Sequence, residues 1–310
     1  MNTLHKAVHD YIEMRRGLGF KLHDAERGLR KFIVFLERHR ASHVTIALAM
    51  QWAQENPSAR PFEWARRLSF VRGFARYWSA TDPRTEIPLW GLLPHRPRRA
   101  QPYLYSDDEI RLLLEATLQL PSLHGLPSET YHCLLGLLSV TGLRISEALN
   151  LRSEDVDLKA GILTIRGTKF GKSRLVPIHR STQGVLSDYA SHRDLFLAGR
   201  LASFFFISRR GTRLTSSRVR RTFYTLSRRT GLRGMFASHG PRLHDFRHRF
   251  AAETLVQWYR SGQDVERRLP VLSTYLGHVH VSDTYWYFSA CPELMGLAVK
   301  RLEEHWEKRI

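Results

Sequence analysis

His244-Asp245-Phe246-Arg247-His248 and, further along, Tyr275-Leu276-Gly277-His278 leading to Tyr287 are the stretches on which the reading of this chain turns. His244 and Arg247 fall at i and i+3, which places them on one face of a helix. Nine residues after His278 stands Tyr287. Taken singly, each feature has a bland explanation: a histidine can be a satisfied core residue, and Tyr285-Trp286-Tyr287 can be packing. Working outward, two further clusters precede them. Thr141-Gly142-Leu143-Arg144-Ile145-Ser146-Glu147 sets an arginine among apolar residues just after a glycine turn, with Glu147 one helical turn on and able to hold it. Thr168-Lys169-Phe170-Gly171-Lys172 is a Lys/Gly turn, which is ordinary in a solvated loop but can also deliver a proton donor into a cleft. The joint order R…K…HxxR…LGH…Y within one chain is hard to obtain by chance.

That chain is strongly basic. Its 310 residues hold 48 Lys and Arg against 29 Asp and Glu, a formal charge of +19. The excess is spread: residues 1–100 carry 18 bases and 9 acids, and residues 101–310 carry 30 and 20, so each part is basic in its own right. From Leu195 to His244 there is no acid at all and there are eleven arginines, among them Arg209, Arg210, Arg220 and Arg221. Cations without acids to pair them repel one another and imply an external polyanion. Apolar residues make up 43%, enough for a sizeable core and too many for a disordered chain. Two cysteines, Cys133 and Cys291, give no disulfide framework and fit a reducing cytoplasm. No apolar run approaches the ~18 residues of a membrane span, and MNTLHKAVHD has no apolar signal core.

The first eighty residues read as helices, with stripes at Leu4, Val8, Tyr11 and Ile12, at Ala25, Leu29, Phe32, Ile33 and Leu36, and at Trp64, Leu68, Val71, Ala75 and Trp78. Arg66, Arg67, Arg72 and Arg76 interleave the third stripe and are expected to face DNA; Thr45 is a candidate helix cap. Residues 1–82 form the expected helical DNA-binding domain. Residues 83–102, with five of the thirteen prolines and Arg98 and Arg99, read as an extended linker whose arginines meet DNA. Ser106-Asp107-Asp108-Glu109 is a capping box that opens a second domain, 103–310. Helices are expected near 107–118, 129–141 and 145–151, a β-hairpin at Gly161–Gly167 and Arg174–Ile178, another strand at Phe204–Ser208, and helices from Ser216 onward. The fold class is mainly α with a small β-sheet.

TGLRISEAL at 141–149, TKFGKSRLVPI at 168–178, HDFRH at 244–248 and YLGHVHVSDTYWY at 275–287 together resemble the tyrosine recombinase (phage integrase) family, from about residue 103 to the end. The resemblance implies a helical core-binding domain and a catalytic domain that close as a clamp on duplex DNA. It also implies a site-specific recombinase that cuts and rejoins strands through a 3′-phosphotyrosyl intermediate, resembling transposon-associated members. By the same resemblance Tyr287 is the nucleophile, selected over Tyr285 by the interval from LGH, and Arg144 and Arg247 hold the scissile phosphate. His278 hydrogen-bonds it, His244 is the general base, Lys169 protonates the leaving oxygen with Lys172 its competitor and a DNA contact, and Glu147 supports the site. These roles are chemically coherent: a phenol is a weak nucleophile at neutral pH and needs a base, and phosphoryl transfer needs cations for the charge that builds on phosphorus. Neither a metal nor ATP is required, because the tyrosyl ester stores the energy of the broken bond. The expected partners are DNA and further copies, dimer to tetramer, with related recombinases or DNA-bending proteins as additional candidates, and no membrane. The C-terminal segment Cys291–Ile310 is expected to form a helix that either closes its own core or, the preferred choice, packs on a neighbouring copy. His248 departs from the small residue usual after HxxR.

Three rivals stand beside this reading. A zinc hydrolase would gather His244, His248, His278 and His280, but it leaves Arg144, Lys169 and Tyr287 unexplained and sets an arginine inside the cation site. A non-catalytic DNA-binding protein on the same scaffold would have no need of all six catalytic positions. The third keeps the mechanism but relaxes supercoils or resolves DNA ends.

Overall fold

The computed structural model describes residues 3–93, 101–121, 126–167, 173–237 and 239–307, without the side chains of residues 289, 290, 304 and 305. Lys169, Lys172, Arg98 and Arg99 lie outside the described residues. The chain divides into two compact units, Met1–Ala100 and Gln101–Ile310.

The described part of the first unit is helical: α1 (Thr3–Gly17), α2 (His23–Arg38), α3 (Ile46–Ala53) and α4 (Pro61–Trp78). The expected stripes are its core, since Leu4, Val8, Ile12, Leu29, Phe32, Ile33, Leu68 and Val71 are all buried. Thr45 caps α3, its hydroxyl accepting from the Leu48 amide at 3.2 Å, and Pro61 opens α4, where its missing N–H is no loss. The proline-rich stretch is not free chain from its start. The Glu86 amide donates to the Val44 carbonyl at 2.9 Å, the Glu86 carboxylate accepts from the first amide of α3 at 2.6 Å, and Leu93 packs on the core.

The second unit opens with α5 (Asp107–Leu118), whose Ser106/Glu109 capping box is formed in full. Next comes α6 (Leu126–Thr141), which buries most of its residues, Leu134, Leu135, Leu137 and Leu138 among them, and is therefore central. It starts one turn earlier than expected because Pro127 is tolerated in a first helical turn. After α7 (Ile145–Asn150) come β1 (Val156–Asp157), β2 (Ile162–Ile165) and β3 (Arg174–Pro177), an antiparallel sheet in that order with Leu163 opposite Val176. Then follow α8 (Arg180–Leu197), α9 (Ser216–Arg229), α10 (Asp245–Arg260), α11 (Val265–Leu276), α12 (Ser282–Ala290) and α13 (Pro292–Glu307).

Two expectations change. Phe204–Ser208 is not a strand: it makes single bridges, Arg152 with Phe204 and Ile207 with Arg213, because Phe205, Phe206 and Ile207 are consumed by the core rather than by a ladder. α13, expected on a neighbouring copy, lies against α10 and α12 of its own chain with Leu294 fully buried. No helix among the described residues is long and apolar enough to cross a membrane.

Candidate active site

The site is assembled around the C-terminal end of α11. Gly277 ends that helix in the left-handed conformation (φ +68°), its amide bonding back to Thr274 and that of His278 to Ser273. The Leu276 and Gly277 carbonyls are thereby left facing outward at the negative end of the helix dipole. Two guanidinium groups from distant parts of the chain take them up. Arg144, the residue before α7, donates to Gly277 O at 3.2 Å and reaches Leu276 O at 3.5 Å. Arg247, in the first turn of α10, donates to Leu276 O at 2.6 Å and to Gly142 O at 2.9 Å. Gly142 is also left-handed (φ +60°), and a Cβ there would stand 2.7 Å from the Phe250 ring, so glycine is needed for this approach.

Two cations this close need compensation, and Glu147 supplies it. Its Oε1 accepts from Arg144 at 2.8 Å, while both of its oxygens accept from Arg174 on β3, at 3.1 and 2.8 Å. Burial would raise the Glu147 pKa, but the Arg174 and Arg144 guanidinium groups outweigh it and hold the carboxyl at about 2. Arg247 is only 1% exposed, and burial lowers its pKa to about 10 even though the Tyr287 phenol opposes the shift.

Tyr287 reaches this cluster from α12 of the same chain. It is 3% exposed, against 58% for Tyr285, which turns outward. Burial raises the phenol pKa, and the charge of Arg247 together with a hydrogen bond from it pulls the other way. The His278 ring lies nearly parallel to the Tyr287 ring, 6.1 Å between centroids at 21°. Burial, then the charges of Arg247 and Arg144, push the His278 pKa down to about 4, so the imidazole is neutral at physiological pH. Thr284 Oγ1 lies 2.8 Å from its Nδ1. His244 occupies the position before α10 without a side-chain capping bond, and its pKa is lowered by desolvation and by Arg247, although the residue as a whole is exposed. His248 stands between His244 and Tyr287, with ring centroids 4.7 Å and 5.7 Å away respectively. The geometry therefore brings Arg144, Arg247, His278, Tyr287 and Glu147 together, with His244 one ring further out. Among the described residues no three or more His, Cys, Asp or Glu side chains are grouped as a metal ion would need.

Comparisons with known proteins bear on the family to which the chain belongs. Residues 105–293 match the phage integrase family. A protein of Sinorhizobium fredii (strain NBRC 101917 / NGR234) named integrase/recombinase y4rB is 58% identical over 100% of both chains. A second from the same strain, integrase/recombinase y4rE, is 33% identical over 96% of this chain and 95% of its own. The chain belongs to the phage integrase family. Its fold is also that of a solved integrase of the Tn1549 transposon in complex with transposon right-end DNA, with a TM-score of 0.65 at 16% identity, covering 96% of this chain and 98% of that one.

For this integrase-family chain, the arginines expected at DNA divide into two sets. Arg76, Arg209, Arg210, Arg220 and Arg221 are exposed and make no ion pair among the described residues. Arg66 and Arg67 reach the acids Asp24 and Glu55, and Arg67 lies over the Trp52 ring at 4.2 Å. Arg72 must be corrected: it is 7% exposed and donates to the Pro88 and Leu89 carbonyls at 2.8 and 2.9 Å, so it ties the proline-rich stretch to α4 instead of facing solvent. Sequence reasoning missed Arg174 and Thr284. Arg174 sits in the quoted RLVPI strand, but nothing in the sequence marks it as turned inward; the role of Thr284 has no sequence signal beyond its place three residues before Tyr287.

Proposed function

We propose that this protein is a site-specific DNA recombinase of the tyrosine type, serving the integration, excision or transposition of a mobile element. The carrying observation is that Tyr287 is packed, in its own chain, against Arg247 and the His278 ring, with Arg144 at the same helix end. Phosphate is the ligand that two forked guanidinium groups and an imidazole fit together. Tyr287 Oη attacks the scissile phosphorus, a P–O bond to tyrosine forms, and the bond to the 5′-oxygen breaks. His244 takes the phenol proton as general base, and Lys169 gives a proton to the 5′-oxygen. Arg144, Arg247 and His278 hold the non-bridging oxygens, and Glu147 keeps Arg144 aimed. Reversal on a new 5′-hydroxyl religates the strand, so neither metal nor ATP enters.

The solved complex of the Tn1549 integrase with transposon DNA supports duplex DNA as the substrate. The exposed arginines of α9 and the loop before it support the same choice through charge. The protein works in the cytoplasm as a dimer or tetramer on DNA, and the basic charge of each unit supports DNA contact by both. Support for oligomers comes from α13, whose outer side exposes Met295, Val299, Leu302 and Trp306 at helical spacing. A suicide substrate carrying the element's ends tests the proposal. Wild type is expected to give a denaturation-resistant protein–DNA adduct and Tyr287→Phe none; an adduct that persists in Tyr287→Phe and disappears in Tyr285→Phe would overturn the choice of nucleophile.

A further inference from the structure

Threonines inside helices usually bond back to the carbonyl one turn earlier, and several in this chain do. Thr141 donates to Leu137 O, Thr225 to Arg221 O, Thr254 to Phe250 O and Thr274 to Pro270 O. Thr284, in the first turn of α12, does not. Its hydroxyl is fully buried, and the hydrogen bond recorded for it among the described residues runs to His278 Nδ1 at 2.8 Å.

A buried hydroxyl proton without an acceptor is costly, so its direction can be deduced. If Nδ1 carried a proton and donated it, the Thr284 hydroxyl would accept and its own proton would point into the apolar interior. If Nδ1 is bare, the hydroxyl donates to it and both groups are satisfied. A neutral imidazole carries one proton, so the second arrangement places it on Nε2. The distinction matters because a bare Nε2 would repel a phosphate oxygen, whereas Nε2–H binds one.

We propose that Thr284 is a positioning residue: its hydroxyl donates to Nδ1 of His278, fixing the ring and leaving Nε2–H to face the scissile phosphate. The inference rests on the reading of the site given above and adds to it a tie between two motifs. Thr284 and Tyr287 lie at i and i+3 on α12, so the docking of one helix both delivers the phenol and sets the imidazole. A protomer whose α12 is displaced loses both at once.

Two measurements test it. In full-length protein carrying 15N-labelled histidine, with the His278 signals assigned by their loss in His278→Gln, Nδ1 is expected to resonate as an unprotonated nitrogen and Nε2 as a protonated one. In the suicide-substrate assay, Thr284→Val keeps the volume and is expected to slow adduct formation about tenfold, the scale of one hydrogen bond, with DNA affinity unchanged. Thr284→Ser restores the rate. The deficit of Thr284→Val narrows as pH falls and His278 becomes protonated, because an imidazolium has Nε2–H whatever threonine does. A His278 protonated on Nδ1, or Thr284→Val matching wild type at every pH, overturns the proposal; if Thr284→Val does not fold, the nitrogen spectrum of the wild type decides. Absence of any adduct from wild type overturns the reading of the site instead, and is distinguishable because the nitrogen spectrum does not depend on activity.

Discussion

Glu147 sits between Arg144 and Arg174 in a spot that water barely reaches, and its ionisation is part of what holds the unit together. Its carboxyl titrates at about 2 in the fold against 4.5 when unfolded. A depressed carboxyl pKa stabilises the fold fully above the unfolded value and is lost as pH falls through the folded one. Glu147 is therefore expected to contribute on the order of 3 kcal/mol above about pH 4.5, a contribution that disappears between there and pH 2. Denaturant titrations across that window check this: Glu147→Gln should be less stable at neutral pH and show a shallower acid limb than wild type. Half of this arrangement was legible beforehand, since Glu147 follows Arg144 at helical spacing. The Arg174 half was not, because Arg174 stands on β3, 27 residues from Glu147 on α7, and only the tertiary fold brings them together.

Helix ends, more than helix bodies, build the site. The C-terminus of α11 is where Arg144, Arg247 and Arg174 meet, the last donating to Tyr275 O at 2.7 Å. A Cβ on Gly277 would fall 2.7 Å from Arg174 Nη1 in a backbone conformation (φ +68°) that side chains disfavour. Gly277→Ala is accordingly expected to cost about 1–2 kcal/mol from backbone strain alone, and to lower adduct formation further by displacing Arg174 from Glu147. Thermal melts and the suicide-substrate assay read the two effects separately. At this scale the capping boxes, the α6 core and the hairpin follow from local chemistry. α8 escaped notice because its buried stripe, Leu186, Tyr189, Arg193 and Leu197, includes an arginine and runs through a polar stretch. The Phe204–Ser208 segment misled for the opposite reason: it has strand-like residues without a strand to pair with.

Across the whole molecule the charge arithmetic makes both units basic, so affinity for DNA should fall steeply with salt. The structure separates arginines that serve the fold from those free to meet phosphate. Arg220→Ala and Arg221→Ala are each expected to flatten the salt dependence of DNA binding by about one unit of slope and leave the melting temperature near wild type. Arg72→Ala should do the reverse, destabilising the first unit by about 1–3 kcal/mol by orphaning the Pro88 and Leu89 carbonyls while the salt slope stays as it was. Fluorescence anisotropy over a salt series, paired with melts, decides between the two.

The linear order of Arg144, His244, Arg247, His278 and Tyr287, the helical stripes of the first unit and the excess of positive charge were fixed by residue identity and spacing, which survive in any listing of the chain. Direction in space was not. Which arginine turns inward, that Arg174 closes on Glu147, that Tyr287 and not Tyr285 is the buried phenol, and that Thr284 meets His278 all depend on contacts between segments remote in sequence or turned inward by packing, and spacing along a chain carries no information about those.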